Sequence, residues 1–382
     1  MPDNEQRPLI VHIIYRLQVG GLENGVINLI NHLPIERYRH AIICLQDFTD
    51  FRERIQRNDV EIVAMHKKPG QDFAMLKQLY DLFRIWRPAI VHTRNIGCLE
   101  AQLPAWLARV PCRIHGEHGW DVQDPHGQNK TYRWLRRLHA PLVQRFIPLS
   151  LELDEYLQSI GISTQKISRI YNGVDTKTFH PGSSQALPDG FAEPENIIIG
   201  TVGRMHGVKD QTNLTRAFIQ LHNDHPEHAK HLRLVMIGDG PLRQECLKML
   251  QTAGLSASAW LPGARNDIPE IMRALTIFVL PSIAEGISNT ILESMATGLP
   301  VIATRVGGNP ELVDENTSGL LVTAENAGAL AQALGQYIKQ PTLVKQHGEA
   351  GLKRIHNHFS LQAMLENYAG VYNALLKMKG FN

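Results

Sequence analysis

Residues 276–293 read TIFVLPSIAEGISNTILE and join a buried strand, a polar loop and the start of a helix. Thr276–Leu280 is a short apolar run, typical of a strand that is covered on both faces. Ser288 or Asn289 can cap a helix that continues through Met295, because both side chains accept hydrogen bonds from free backbone N–H groups. The stretch therefore predicts one strand-to-helix unit of a parallel α/β sheet.

The same alternation fills the rest of the chain. Apolar runs predict further strands at Leu9–Ile14, His40–Leu45, Glu61–Met65, Ala89–His92, Cys112–Glu117, Arg145–Leu149, Ile197–Val202, Leu232–Ile237, Ala257–Leu261 and Val301–Thr304. Helices are predicted at Leu22–Leu33, Asp72–Trp86, Gln211–Asn223, Pro241–Ala253, Ser288–Thr297 and Leu361–Lys377. In the last helix one buried stripe is expected from Leu365, Tyr368, Val371 and Leu375. The pattern predicts an α/β protein with two doubly wound domains.

A polar stretch with three Pro and two Gly, His180–Asn196, is the best candidate linker. We predict one domain over residues 1–180, a second over 181–360 and a C-terminal helix over 361–382. In doubly wound sheets ligands bind beyond the carboxyl ends of the strands. The loops that follow the strands are therefore where we expect the chemistry.

Composition narrows the class of protein. The chain has 382 residues, with 39 Lys and Arg against 37 Asp and Glu, so its charge does not indicate a nucleic-acid partner. Its four Cys are scattered without a CxxC, which favours a reducing interior over a disulfide framework. The apolar run Leu9–Ile14 is too short for a signal peptide or a membrane span. We expect a soluble, cytoplasmic protein.

Two glycine-containing loops suit an anion. Arg204 and Lys209 lie five residues apart after a strand, and a guanidinium with an ammonium suits a diphosphate, although the pair can also be two plain surface cations. Gly20 and Gly21 precede a helix whose free N–H groups could meet a phosphate, or they form an ordinary turn. Neither these glycines nor the loop Gly238–Pro241 has the spacing of a dinucleotide-binding fingerprint.

Glu285 lies in the loop ahead of the helix cap, and Glu293 lies about one turn inside the helix. Eight residues of continuous helix would separate them by about 12 Å, more than the roughly 5–9.5 Å of a glycosidase pair. Two carboxylates that bind hydroxyl groups, with a helix N-terminus between them for phosphate, fit a nucleoside diphosphate sugar. Two solvated surface glutamates are the alternative.

Two further features leave alternatives open. His118 is either a structural histidine or a side chain near a reacting sugar. Metal binding by Cys112, His115 and His118 is disfavoured, because Cys112 and His115 face opposite sides of one strand. The stretch Lys130–Arg145 holds six basic residues with aromatic ones among them, so it could contact anionic lipid, grip an acidic acceptor or be a solvated helix face.

These motifs resemble, over nearly the whole chain, the retaining glycosyltransferases of the GT-B type in family four (glycosyl transferases group 1). The matching segments are GTVGRMHGVKD at 200–210, the stretch from EGISNTILE to NPELV at 285–313, GGLE at 20–23 and IYNGVD at 170–175. The resemblance implies two Rossmann-like domains that face a cleft. It also implies transfer of a sugar from a nucleotide diphosphate sugar to a saccharide or lipid-linked acceptor.

The resemblance assigns roles to the second-domain residues. Arg204 and Lys209 would bind the diphosphate and stabilise it as the leaving group, Glu285 would hold sugar hydroxyls, and Glu293 the ribose. Backbone N–H groups would contact sugar and phosphate at Gly286, Ile287, Ser288 and Asn289. No metal or other cofactor is expected, since the cations take the place of a metal.

The remaining assignments concern both domains and the partners. Gly20 and Gly21 would close on the phosphates, His118 would lie near the sugar although its surrounding HGWD departs from the family pattern, and Arg265 would contact the base. The C-terminal helix is expected to cross back to the first domain. The acceptor could be a polysaccharide or lipid-linked precursor at the inner face of a membrane. A nucleotide-sugar epimerase and a non-catalytic sugar-nucleotide sensor are the alternative functions.

Overall fold

The computed structural model describes residues 7–121, 124 and 127–381. Within these, the chain separates into two compact units. The first unit contains the chain up to Asn172 together with the segment from Leu361 onward, and the second unit is Gly173–Ser360. The polar stretch His180–Asn196 thus belongs to the second unit.

The first unit alternates strands and helices. Its elements up to residue 159 are β1 (Leu9–Ile14), α1 (Gly21–His32), β2 (Arg39–Cys44), β3 (Glu61–Ala64), α2 (Phe73–Trp86), β4 (Ile90–Arg94), α3 (Gln102–Leu107), β5 (Cys112–Glu117), α4 (Lys130–His139), β6 (Arg145–Pro148) and α5 (Leu151–Ser159). The six described strands form one parallel sheet in the order β3-β2-β1-β4-β5-β6.

The second unit repeats this plan. Its elements are β7 (Ile197–Val202), α6 (Gln211–Asp224), β8 (Leu232–Ile237), α7 (Leu242–Thr252), β9 (Ala259–Gly263), α8 (Ile268–Arg273), β10 (Ile277–Leu280), α9 (Asn289–Ala296), β11 (Val301–Thr304), α10 (Asn309–Leu312), β12 (Gly319–Val322), α11 (Ala327–Lys339) and α12 (Pro341–Arg354). Its described strands are also all parallel, in the order β12-β11-β10-β7-β8-β9.

Both sheets have the doubly wound strand order, in which the direction of winding reverses between the first and fourth strands of the unit. The reversal lies between β1 and β4 in the first unit and between β7 and β10 in the second. The strands there are buried, as parallel strands covered on both faces must be. The predicted fold class, α/β with two doubly wound domains, is confirmed.

The last helix, α13 (Leu361–Met378), packs on the first unit. Its apolar side chains join one core cluster with residues of α1, β4 and β5. The predicted stripe needs one correction: Val371 is only half-buried, and Tyr372 is buried in its place. The Tyr372 hydroxyl lies 2.9 Å from Nδ1 of the buried His92 on β4, and this polar contact explains why an aromatic residue occupies the inner face.

The starts of α2 and α9 follow the capping rules that the sequence displayed. The Asp72 side chain accepts a hydrogen bond from the backbone N–H of Met75 and caps α2. The helix therefore begins at Phe73, one residue after the predicted start. Ser288 caps α9, as one of the two predicted alternatives. The predicted strand at Ala257–Leu261 is displaced by two residues, since the structure places β9 at Ala259–Gly263 after a short turn.

Candidate functional site

The loops after β7 and β10 meet where the winding of the second sheet reverses. We call residues 203–210 the cation loop, residues 281–288 the glutamate loop and residues 305–308, after β11, the glycine loop. The backbone N–H of Ile283 donates to the Val208 carbonyl at 2.9 Å and ties the first two loops together. This edge is the position at which doubly wound sheets bind ligands.

Lys209 and Glu285, predicted from separate motifs, are in direct contact. The Lys209 Nζ lies 2.5 Å from the Glu285 Oε1. The Glu285 side chain is 9% exposed and that of Lys209 is 23% exposed. Because both charges are largely withdrawn from water, their attraction is screened less than that of a surface pair.

Arg204 lies on the same cation loop but remains exposed. Within the part of the chain that the structure describes, no side chain pairs with its guanidinium. The loop itself is held by the turn after β8: Met205 N–H donates to the Asp239 carbonyl at 2.9 Å, and Gly238 adopts φ +137°. A Cβ on Gly238 would lie 1.9 Å from the Gly203 carbonyl oxygen, so only glycine permits this approach.

The end of the glutamate loop, directly before α9, presents free backbone donors. The Ser288 hydroxyl accepts the Ile291 N–H at 3.4 Å, while the N–H groups of Gly286, Ile287 and Ser288 donate to no group among the described residues. The glycine loop lies behind them, and a Cβ on Gly307 would lie 1.9 Å from the Glu285 carbonyl oxygen. Free N–H groups at the positive end of a helix attract an anion.

The two glutamates occupy different surroundings. Glu285 lies in the loop, whereas Glu293 is half-buried in the second turn of α9. A helical spacing between them therefore does not apply, because the helix begins at Asn289. Glu285 directly precedes the segment that carries the free N–H groups, and Glu293 follows that segment within α9.

Arg265 lies apart from these groups. It follows β9, the edge strand of the sheet, and donates from Nε and Nη2 to the two carboxylate oxygens of Asp267 at 2.9 and 2.6 Å. Its guanidinium carbon lies 5.7 Å from the ring centre of Trp260. Arg265 is therefore already paired, unlike Arg204.

In the first unit, Gly20 and Gly21 lie at the start of α1. Gly20 is the N-cap and has an extended φ of −170°, which any residue adopts. The Glu23 side chain folds back so that its Oε2 lies 2.1 Å from where a Cβ on Gly20 would be. This gives Gly20 a local packing role beside the predicted contact with phosphate.

His118 lies in the loop after β5, with its backbone N–H donating to Asn95 Oδ1 at 2.7 Å. Burial, together with the Arg94 guanidinium, lowers the pKa of His118 to about 3, so the imidazole is neutral at pH 7. Its Nε2 has no hydrogen-bond partner among the described residues. No motif in the sequence indicated Asn95, whose φ of +57° marks an unusual turn for a residue with a side chain.

The three potential metal ligands do not converge. Cys112 packs in the core beneath α13. His115 points to the other face, where Nδ1 lies 2.8 Å from Thr93 Oγ1 and Nε2 lies 3.3 Å from Glu117 Oε1. Strand alternation explains the separation.

The basic stretch from Lys130 has two faces. On α4, Arg136 is buried and donates to both oxygens of Glu117, at 2.6 and 3.1 Å. Burial would raise the pKa of Glu117, but Arg136 outweighs it and holds that pKa well below its usual value. Trp134, by contrast, is 58% exposed. Part of this basic stretch thus anchors the helix, and the rest faces outward.

The chain is similar to known proteins along most of its length. Residues 19–178 match the family model described as Glycosyltransferase Family 4, and residues 196–340 match Glycosyl transferases group 1. One relative is the Escherichia coli UDP-Gal:alpha-D-GlcNAc-diphosphoundecaprenol alpha-1,3-galactosyltransferase, 29% identical over 87% of this chain and 89% of its own length. Another is the lipopolysaccharide core biosynthesis mannosyltransferase LpsB of Rhizobium meliloti, 29% identical over 83% of this chain and 93% of its own.

Solved structures share the fold. A glycosyltransferase from Rickettsia africae superposes with a TM-score of 0.82 and 21% identity, covering 97% of this chain and 99% of that one. Anabaena HepE in complex with UDP superposes with a TM-score of 0.80 and 18% identity, covering 96% and 100%. With both family models matched in order along one chain, the protein belongs to the family 4 glycosyltransferases (glycosyl transferases group 1) and is a sugar-transferring enzyme of the GT-B fold.

Proposed function

We propose that this enzyme moves a sugar from a nucleotide diphosphate sugar to a saccharide or lipid-linked acceptor, with retention of anomeric configuration, in the biosynthesis of a polysaccharide or glycoconjugate. The observation that carries the donor assignment is the Lys209–Glu285 contact beside the free N–H groups of the glutamate loop. A carboxylate, an ammonium and helix-start amides within one loop cluster match the hydroxyl and phosphate groups of such a donor.

In this proposal the diphosphate is stabilised as it leaves. The guanidinium of Arg204 is exposed, and no described side chain pairs with it. It can therefore form a bidentate contact with phosphate oxygens. Lys209 and the start of α9 add a second cation and a dipole. As the anomeric carbon gains positive character, these fixed groups stabilise the negative charge that grows on the diphosphate. We propose that they do so without a metal ion.

The acceptor proposal draws on the relatives. The Escherichia coli relative bears the name of an enzyme that acts on a sugar diphosphoundecaprenol, and a relative from Campylobacter jejuni is likewise named for a diphospho-undecaprenol acceptor. We infer a lipid-linked or membrane-associated acceptor for this chain as well. The four cysteines are all unpaired and buried, which is compatible with the cytoplasmic side of the membrane.

One surface of the first unit supports a peripheral membrane contact. Helices α3 and α4 both pack on residues 96–101, and their outer faces expose large apolar side chains: Leu103, Trp106, Leu107, Trp134 and Leu138. We call these residues, with the exposed Lys130 and the half-buried Arg133, the α3–α4 surface. Neither helix contains Asp or Glu. Exposed apolar side chains next to basic ones are typical of a surface that binds an anionic bilayer. Among the described residues, no helix has the length and apolarity needed to traverse a bilayer.

The transfer proposal is tested by product analysis. The purified chain is incubated with UDP-galactose, UDP-glucose or GDP-mannose and a lipid-linked diphosphate sugar. The expected products are free nucleoside diphosphate and an elongated acceptor whose new linkage keeps the donor configuration. An epimerised free donor, or binding without turnover on any acceptor, would contradict transfer, and an inverted linkage would contradict retention.

The membrane proposal is tested by co-sedimentation with vesicles. The wild type is expected to bind vesicles that contain phosphatidylglycerol and not pure phosphatidylcholine. The double variant W134A/L138A should lose most of this binding, whereas Ile35→Ala, which removes a 47% exposed side chain after α1, should not. Equal sedimentation of both variants and the wild type would contradict the assignment of the α3–α4 surface.

A further inference from the structure

The Glu285 carboxylate is held by buried side chains that the motifs did not indicate. The Ser282 hydroxyl donates to Glu285 Oε1 at 2.6 Å, and the Ser282 side chain is fully buried. The Thr304 hydroxyl, at the end of β11, donates in turn to the Ser282 backbone carbonyl at 2.5 Å. Thr304 is fully buried as well. A serine and a threonine from neighbouring strand ends thus support the glutamate loop.

A third side chain extends this support. The Asn309 side-chain amide, at the first position of α10, donates to the Thr304 carbonyl at 2.9 Å and is fully buried. The contacts run from α10 through Thr304 and Ser282 to Glu285. Because each of these side chains is enclosed, none of them can turn without breaking a hydrogen bond in an apolar setting, which is costly.

The arrangement treats the two oxygens of Glu285 differently. Oε1 accepts from both Lys209 Nζ and Ser282 Oγ. No described residue donates to Oε2. With one oxygen occupied by two donors, the carboxylate plane is fixed and the other oxygen is left for a ligand.

We propose that Ser282 is a positioning residue that aims Oε2 of Glu285 at the hydroxyl groups of the transferred sugar, with Thr304 fixing Ser282. This rests on the proposed donor. Ser282 would not touch the donor itself, and would act only through Glu285. Loss of the Ser282 hydroxyl should therefore weaken recognition of the sugar while recognition of the diphosphate stays intact.

The experiment compares two ligands by calorimetry on the full chain. The wild type is titrated with UDP and UDP-galactose, and with GDP and GDP-mannose, and the pair it binds is then used for the variants. We expect Ser282→Ala to raise the Kd of the sugar nucleotide about tenfold, the scale of one hydrogen bond to a charged group. The Kd of the free nucleoside diphosphate should change by less than about twofold.

Matched variants separate positioning from a general loop defect. Thr304→Val removes the supporting hydroxyl at constant size and should act like Ser282→Ala, while Thr304→Ser retains the hydroxyl and should resemble the wild type. Ser294→Ala is the control, because Ser294 is equally buried in α9 but donates to the Ile291 carbonyl at 2.9 Å. If Ser282→Ala does not fold, the two Thr304 variants carry the test.

A double-mutant cycle gives the decisive readout. In a Glu285→Ala background, Ser282→Ala should have no further effect on binding of the sugar nucleotide. Three results would overturn the proposal. Ser282→Ala could weaken binding of both ligands equally, or it could leave the affinity for the sugar nucleotide unchanged. It could also have its full effect on that affinity in the Glu285→Ala background. A wild type that binds none of the four ligands would instead defeat the proposed function, and this inference with it.

Discussion

The two units share one strand order but place different chemistry at the reversal of their sheets. In the second unit, the edge between β7 and β10 carries the charged pair Lys209–Glu285, the exposed Arg204 and free helix-start amides. In the first unit, the strands at the reversal carry His12 and His92, which are buried and held neutral because burial lowers their pKa well below 6.5. Topology fixes where a ligand can bind, and the loops decide which ligand it is.

The largest effect is expected at the charged pair. Lys209→Ala should lower kcat/KM by about 100-fold or more, the usual cost of losing one preorganised cation at a developing anion. Glu285→Ala should lower it by a similar factor, because it removes the acceptor for the sugar hydroxyls and the partner of Lys209. Steady-state kinetics measures this. Lys345→Ala is the control, since Lys345 forms an exposed ion pair with Glu349 on α12 and should be neutral. Full activity in both site variants would remove the difference between the two edges.

The next prediction concerns His118 and its loop. Asn95→Asp keeps an acceptor for the His118 N–H and tolerates a positive φ, whereas Asn95→Gly keeps the backbone freedom but loses the acceptor. We expect Asn95→Gly to reduce kcat about tenfold and Asn95→Asp much less, because a freed loop misplaces the imidazole. If the two variants have equal kcat, the placement of His118 does not matter for transfer.

The neutral histidines make the first unit sensitive to acid. His12 and His40 are both buried, with Nε2 of His12 lying 3.0 Å from Nδ1 of His40. Burial lowers the pKa of His40 to about 3. Below pH 6.5 the unfolded chain binds protons that the folded unit excludes, so stability is complete above that pH and falls as the pH drops towards 3. Each such group contributes up to about 1.4 kcal/mol per pH unit.

Hydrogen exchange at pH 7.5 and pH 5, corrected for the intrinsic rate, measures this effect. Peptides of β1, β2 and β4 should lose more protection at pH 5 than peptides of β7, β8 and β10. Uniform loss across both units would contradict the prediction, and so would greater loss in the second unit.

A smaller effect is expected at Gly20, where two explanations compete. Gly20→Ala places a Cβ against the Glu23 carboxylate, the far end of a flexible side chain that can turn away, so the melting temperature should fall by only about one degree. The double variant G20A/E23A removes the clash. Recovery of stability without recovery of activity would support a contact between Gly20 and phosphate, whereas recovery of both would reduce Gly20 to a packing role.

The smallest effect is expected at Arg265. Its ion pair with Asp267 is exposed, and such pairs contribute about 0–1 kcal/mol. Arg265→Ala should leave the melting temperature unchanged and weaken donor binding by no more than about threefold. A loss as large as that of Lys209→Ala would move the centre of the donor site towards β9.

Much of the fold of both units could be predicted from the sequence. Apolar runs and capping residues predicted the α/β class and most strands of both units, because a strand buried on both faces needs a continuous apolar run whatever its partners. The predicted ends of an element were wrong where a local turn sets its start, as the turn before β9 does. Tyr372 is buried where periodicity predicted Val371, because the Tyr372 hydroxyl also forms a hydrogen bond with His92. A contact between such distant segments is not encoded in the periodicity of one helix.

The candidate site divides in the same way. Arg204, Lys209, Glu285 and the start of α9 were visible because their motifs are local in the chain. The contact of Lys209 with Glu285, 76 residues away, was implied only by the expected sheet topology. Ser282 and Thr304 were missed because a buried serine or threonine in a loop has no distinctive spacing. Their role follows only from the hydrogen bonds between strand ends.

The decisive experiment is a crystal structure of the chain with the nucleotide sugar that it binds best. We expect the diphosphate within hydrogen-bond distance of Arg204, Lys209 and the amides of residues 286–289, with a sugar hydroxyl on Glu285 and the ribose on Glu293. A diphosphate bound elsewhere, with these four side chains facing solvent, would contradict it.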